Sequence, residues 1–258
     1  MSEIDRYRQE TTGLSATAMI RWALSTFGPD GVSFASSLGA EDQVITHLIA
    51  EHAPQIPLFT LDTGRLYQES YDLLERTRER YRLEISVYFP ETKRVEEMAR
   101  AHGPNLFYES VENRKLCCHV RKVEPLGRAL GGVRAWIVGL RQEQAITRQD
   151  LRPVDWDEAN GLIKISPLAA WTESEVWDFI RRHDVPYHAF HDQGFPSIGC
   201  APCTRAIRPG EDTRAGRWWW ERPEHKECGI HLGESAAGTA GPATTSPAPF
   251  GIQEIETS

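Results

Sequence analysis

The sequence predicts an α/β protein built on a mostly parallel sheet with flanking helices. Short apolar runs alternate with amphipathic stretches at helical spacing between residues 31 and 103, and two further strand-like runs follow at 133–140 and 161–169. A chain of 258 residues with 40% hydrophobic content can fill one sizeable core of that kind.

The first strand is "GVSFASSL" at 31–38, and "DQVITHLIAEHA" after it carries apolar residues at helical spacing. The second is "IPLFTLDTG", an apolar run ended by Gly64, followed by the amphipathic helix "RLYQESYDLLERTRERY". "LEISVYF" at 83–89 and "TKRVEEMARAHG" make a third pair, and strands alternating with helices imply parallel crossovers. After "VRAWIVGL" (133–140) and "GLIKISPLA" (161–169), Thr172 and Glu175 have capping-box spacing, which starts a helix near Thr172. From about Asp192 the regular pattern weakens. Residues 1–232 are read as a single domain whose segment 192–232 folds over one end of the sheet. Residues 233–258 have the composition of a disordered tail.

The formal net charge of −8 excludes broad binding to nucleic acid, whose affinity comes from neutralising phosphates, so any anion site must be local. No run approaches the roughly eighteen apolar residues of a membrane span, and the N-terminus lacks a secretory pattern. A cytoplasmic protein with no membrane partner is expected. There thiols stay reduced, so the five cysteines point to metal or catalysis rather than a disulfide framework.

The stretch "SSLGAED", 36–42, lies at a strand-to-helix turn. Ser36 and Ser37 supply hydroxyls, Gly39 allows close backbone approach, and the helix N-terminus favours an anion. It lacks the lysine of a Walker A loop. Glu41 and Asp42 can equally serve as complements to the helix dipole. "LDTG", residues Leu61, Asp62, Thr63 and Gly64, ends the next strand on the same sheet edge, where ligands of open α/β sheets bind. Together the two loops predict a nucleotide pocket.

Cys117 and Cys118 stand side by side, and Cys200 and Cys203 form "CAPC". Four thiolates in two close pairs can hold zinc or an iron–sulfur cluster. Adjacent cysteines fit the separate corners of a 4Fe-4S cluster better than the C-x₂₋₄-C pairs of structural zinc. "CAPC" also resembles a thioredoxin-like redox motif, but it follows the sheet rather than an early strand and leaves Cys117 and Cys118 unexplained. The fifth cysteine, Cys228 in "HKECGIHL", is either a small buried hydrophobe or a reactive thiol; His225, Lys226 and His231 flank it, opposed by Glu224 and Glu227. Arg205, Arg208, Arg214, Arg217 and Arg222 crowd the segment before it, with forks suited to oxyanions. Trp218, Trp219 and Trp220 are expected either to pack that segment or to form a docking surface.

Taken together, "SSLGAED", "LDTG", the "CC…CxxC" set and "ECGIHL" closely resemble the assimilatory sulfonucleotide reductases, and within them the branch acting on adenosine 5′-phosphosulfate. The likeness runs from about residue 30 to residue 232. It implies an adenine-nucleotide α-hydrolase-like fold with a modified phosphate loop at "SSLGAED", adenosine along "LDTG", and a 4Fe-4S cluster on Cys117, Cys118, Cys200 and Cys203. It also implies Cys228 as nucleophile, Arg141, Arg148, Arg214 and Arg217 as substrate contacts, and Lys122 between cluster and substrate. The implied reaction reduces adenosine 5′-phosphosulfate to sulfite and AMP through a cysteine S-sulfonate, with thioredoxin as electron donor, in sulfate assimilation and cysteine biosynthesis. Family members without the four cluster cysteines use the 3′-phosphorylated substrate, which is the nearest alternative. A tRNA-thiolating enzyme shares the fold and iron-bound cysteines, but the acidic charge opposes it. A plain electron carrier gives Cys228 no task. Oligomeric state stays open, a homo-oligomer included.

Overall fold

The computed structural model of the chain describes residues 2–144 and 148–222. Six strands, β1 (Val32–Ser36), β2 (Leu58–Leu61), β3 (Ile85–Tyr88), β4 (Ala135–Ile137), β5 (Val154–Asp157) and β6 (Leu162–Ile165), form one sheet in the order β3-β2-β1-β4-β6-β5. All neighbours are parallel except β5 and β6.

Side chains alternate across the central strands with the period of two that a strand imposes. In β4, Ala135 and Ile137 join the larger core, while Trp136 between them joins the core of the opposite face. The same holds in β2 for Leu58 and Phe59. Both faces are buried, which is why these strands read as continuous apolar runs.

One face is covered by α2 (Ala16–Phe27), α3 (Ala40–His52) and α8 (Glu173–His183), whose apolar stripes meet Phe34, Ile137 and Ile165. Each such fully buried side chain contributes about 1.5–3 kcal/mol. The other is covered near Phe59 and Trp136 by α7 (Glu124–Ala129) through Leu126, with Leu130 beside it. The crossover from β1 to β2 thus uses one face and that from β3 to β4 the other. Strand order reverses between β1 and β4, and a crevice opens outside their carboxyl ends.

The helix after β2, α4 (Gln68–Tyr81), starts later than the sequence reading, because Arg65–Tyr67 form a connection rather than a first turn. The helix after β3, α5 (Thr92–His102), is as expected. Thr172 caps α8 as its spacing predicts: Glu175 N donates to Thr172 Oγ1 at 3.2 Å and Thr172 N to Glu175 Oε2 at 2.7 Å.

Three features go beyond the sequence reading. The N-terminal α1 (Glu3–Thr11) buries Tyr7 edge-on against Trp22 and Phe27. It also covers the antiparallel edge strand β5, where Arg8 Nε donates to Val154 O and the guanidinium pairs with Asp155. Finally, α6 (Val111–Cys118) runs into α7 through a widened π turn at His119–Val123. Pro125, at the start of α7, can donate no helical hydrogen bond, and the wider turn accommodates it. That run carries Cys117, Cys118, Arg121 and Lys122.

Residues 192–222 lie beyond the sheet, held by short 3₁₀ turns and a bridge between Thr204 and Arg217, in line with the loop-rich segment expected. Cys228 and the tail 233–258 lie outside the described residues.

Candidate active site

A cleft of about 350 Å³ occupies the crevice where strand order reverses, a size that suits a small-molecule ligand. Phe59, Leu61, Leu126, Trp136 and Val138 give it apolar walls. Trp136 is held in place by its indole Nε1, which donates to the buried Asp157 Oδ2 at 3.1 Å.

Ser36, Ser37 and Gly39 line this cleft. Ser36 ends β1, Leu38 N donates to Ser36 Oγ at 3.2 Å, and Gly39 is the N-cap of α3 with no side-chain cap. That leaves the N-terminal amides of α3 facing the cleft. Leu38 holds φ at +63°, a left-handed conformation uncommon outside glycine and often found where a loop is shaped for function. The donors of Ser37 are arranged differently from the sequence expectation. Its N–H and its hydroxyl both donate to Asp42 Oδ2, each at 2.6 Å, so a carboxylate of the chain itself takes the groups expected to meet a phosphate. Gly139 N also donates to Asp42, and a Cβ at Gly139 would overlap Asp42 Oδ1. Asp42 therefore ties the loop after β1 to the loop after β4. Burial pushes its carboxyl up to about 6, against the pull of the Ser37 donors.

The opposite side of the cleft is cationic. Lys122 from the π turn, Arg141 and Arg148 from the connection after β4, and Arg214 and Arg217 from the C-terminal segment all line it. The Arg141 guanidinium is buried and bound through Nε to Glu41 Oε1 at 2.8 Å, so Glu41 serves as its partner and not only as a dipole complement. Arg148 Nη1 donates to Gln144 Oε1 at 2.6 Å. Arg217 is buried, stacks its guanidinium 4.7 Å from the Trp218 ring centroid, and its buried Nε has no hydrogen-bond partner among the described residues. A Cβ at Gly199 would collide with that guanidinium, so glycine is what lets it lie there. Arg205 is engaged elsewhere, forked on Glu211 at 2.8 and 3.1 Å.

The cleft also takes in residues that no motif announced. Ser70, Trp177, His188 and His191 line it from α4, α8 and the turn beyond. His188 is buried, accepts from Phe190 N at Nδ1 and meets Ser70 Oγ at Nε2, 3.1 Å away. Burial holds both histidines below the ordinary imidazole value. These groups are separated by tens of positions in the chain and follow no local pattern.

The "LDTG" loop divides between two sites. Leu61 lines the cleft, whereas Asp62 is buried as an acceptor for Gly64 N at 2.7 Å and Tyr71 OH at 3.1 Å. Thr63 contacts two residues of a second, smaller pocket, with Oγ1 at 3.2 Å from Cys200 Sγ and its carbonyl accepting from Arg121 Nη1 at 2.6 Å. The positive φ of Gly64, +69°, turns the chain there.

All four predicted ligand cysteines line that second pocket: Cys117 and Cys118 from the end of α6, Cys200 and Cys203 from the turn beyond the sheet. None is in a disulfide. Arg65, Arg114, Arg121 and Lys122 surround them, and Lys122 borders both pockets. Burial pushes the Cys203 thiol up to about 12, with Cys200 adding to the effect, and raises Cys117 as well. Among the described residues, no three His, Cys, Asp or Glu side chains are grouped as ligands of a single metal ion.

Residues 31–206 match the model of the phosphoadenosine phosphosulfate reductase domain. The chain is 54% identical over 203 residues to an adenosine 5′-phosphosulfate reductase of Burkholderia cepacia, covering 79% of this chain and 81% of that one. It is 55% identical over 207 residues to one from Allochromatium vinosum, at 80% and 81% coverage. Among solved structures, a phosphoadenylyl-sulfate reductase from Candida auris, in a phosphate complex, superposes with a TM-score of 0.68 at 31% identity. It covers 80% of this chain and 98% of that one.

Proposed function

The chain belongs to the phosphoadenosine phosphosulfate reductase family, and from that premise we propose that it reduces adenosine 5′-phosphosulfate to sulfite and AMP. The observation that carries this reading is the cleft at the strand reversal, apolar on one side and lined by one lysine and four arginines on the other. An adenosine fits the apolar walls beside Phe59 and Leu61. The phosphosulfate then lies between the N-terminal amides of α3 and the arginines that line the other side. Relatives 54% and 55% identical to this chain over 203 and 207 residues carry the name of the enzyme for the substrate without a 3′-phosphate.

Cys228 is the nucleophile in this scheme. Its thiolate attacks the sulfate sulfur, forming the S–S bond of a cysteine S-sulfonate and breaking the sulfur–oxygen bond to the phosphate, so AMP leaves with the electron pair. A thiolate of thioredoxin then attacks Cys228 Sγ and releases sulfite. The second thioredoxin thiol resolves the mixed disulfide, so the dithiol supplies both electrons and Cys228 is regenerated. Arg222, where the described residues end, is six positions before Cys228, which tethers the thiol within about 20 Å of it. A thioredoxin-dependent thiol enzyme works in a reducing compartment, here the cytoplasm, and no described helix is long and apolar enough to cross a membrane.

The four cysteines would hold a 4Fe-4S cluster. Sulfur-only donors suit zinc or iron–sulfur, and the side-by-side Cys117 and Cys118 favour the cluster, whose irons sit at separate corners. Four thiolates held this close repel one another unless metal charge offsets them, and the surrounding arginines complement the net negative charge of a thiolate-bound cluster. When bound, the cluster would pin the C-terminal segment to α6 and shape the potential around the sulfate. Residues 1–232 are taken as one reductase domain with 192–232 as its catalytic segment.

The test is sulfite formation by anaerobically purified protein with reduced thioredoxin, comparing kcat/KM for the substrates with and without the 3′-phosphate. We expect the unphosphorylated nucleotide to be preferred by orders of magnitude. Equal or reversed preference contradicts the assignment.

A further inference from the structure

The Trp218 indole lies between two guanidiniums, Arg217 at 4.7 Å and Arg114 at 4.8 Å from its ring centroid. Its backbone holds φ at +41°, which a bulky L-residue adopts only when its surroundings enforce it. Behind it, Arg114 forks onto Glu221, Nε to Oε1 and Nη2 to Oε2, each at 2.9 Å. Both side chains are almost wholly buried, at 1% and 3% exposure. A bidentate pair that is dry on both sides has fixed geometry, and breaking one partner leaves a buried charge exposed to no water.

Each member of this stack belongs to a different part of the site. Arg114 lies on α6 one turn before Cys117, and a hydrogen bond joins it to Cys118. Arg217 reaches the substrate cleft. Among the described residues, Glu221 is the last side chain held by an ion pair, seven positions before Cys228.

From this arrangement we propose that the Arg114–Glu221 pair is a positioning latch: it fixes the root of the Cys228 segment to the thiol-bearing helix and, through Trp218, holds Arg217 at the cleft. The inference rests on the reductase reading for what Cys228 does. The latch itself touches no substrate; it sets where the nucleophile's tether starts. Losing it leaves the cleft walls built by the sheet and α3 intact, while it loosens Arg217 and slows the approach of the thiol.

The test uses full-length, anaerobically purified protein and two variants, Glu221→Gln and Glu221→Asp, followed in a single turnover without thioredoxin. For Glu221→Gln we expect Cys228 S-sulfonate formation at saturating substrate to slow at least about tenfold, with AMP affinity changed less than about twofold. Amide hydrogen exchange should rise in 214–222 but not in 36–42. Glu221→Asp should recover much of the rate. Should Glu221→Gln fail to fold, the paired replacement Arg114→Met with Glu221→Leu fills the volume without directional bonds and should show the same slowing.

An unchanged sulfonation rate overturns the latch. So does a parallel loss of AMP affinity and iron content, which makes the pair a general prop. If the unmodified protein forms no S-sulfonate, it is the reductase reading that falls. The latch is then judged by exchange alone: it stands if 214–222 loosens in Glu221→Gln and falls if that stretch stays protected.

Discussion

Asp42 shows how a single residue can be legible in type and illegible in role. The sequence places it at a helix N-terminus, where an acid complements the dipole. Only the fold shows that it accepts from Ser37 and Gly139 in a fully buried position. Because burial raises its folded pKa from 3.8 to about 6, the native state holds a proton there that the unfolded chain has already lost. The stabilisation is full below about pH 3.8 and is lost as pH rises through 6. The whole effect is at most about 3 kcal/mol. Denaturant unfolding of Asp42→Asn against the unmodified chain from pH 4 to pH 7 should therefore show relative stability shifting toward the variant as pH rises. A constant difference across that range contradicts the assignment. The cysteines were more legible, since four thiols in two close pairs have few other uses. The Arg114–Glu221 pair was invisible, because a contact 107 positions apart leaves no local pattern.

At the scale of elements, the parts with strong periodicity were readable: β1 to β3 with the helices after them, β4, β6 and α8. Their ends were not, because strand limits depend on neighbouring strands. β5 escaped notice because "VDWD" is short and only one of its edges is paired. The α6–α7 run escaped because its charged first half has no apolar stripe and Pro125 interrupts the second half, yet it carries half the cysteine set. The capping box of α8 was visible from two residues, and its value can be measured. Thr172→Ala removes the acceptor for Glu175 N and should cost about 1 kcal/mol. In a domain of this size that corresponds to a fall in Tm of roughly 2–4 °C. Glu173 borders the cleft, so the same variant should leave AMP binding nearly unchanged if the helix keeps its place. A variant as stable as the unmodified protein shows that the cap contributes nothing.

For the whole molecule, a net charge of −8 coexists with a cleft wall of one lysine and four arginines. Under the proposed function, that local concentration of cations meets a small anionic ligand. The two pockets share Lys122, and Trp218, which lines the cleft, packs in one cluster with Cys203, so the cysteine pocket and the cleft form one unit rather than two. Protein isolated without air should be brown and contain about four irons with matching sulfide. A colourless protein with one zinc contradicts the cluster. Bleaching the cluster should loosen 192–222 in hydrogen exchange while leaving the sheet protected.

In the proposed mechanism, Cys228 takes the sulfonate from the nucleotide. Mass spectrometry of anaerobic protein mixed with adenosine 5′-phosphosulfate, without reductant, tests it most directly. The mechanism requires one sulfonate on the Cys228 peptide, one AMP released per protein, and neither in Cys228→Ser. AMP release without an adduct, or an adduct on any of the other four cysteines instead, contradicts it.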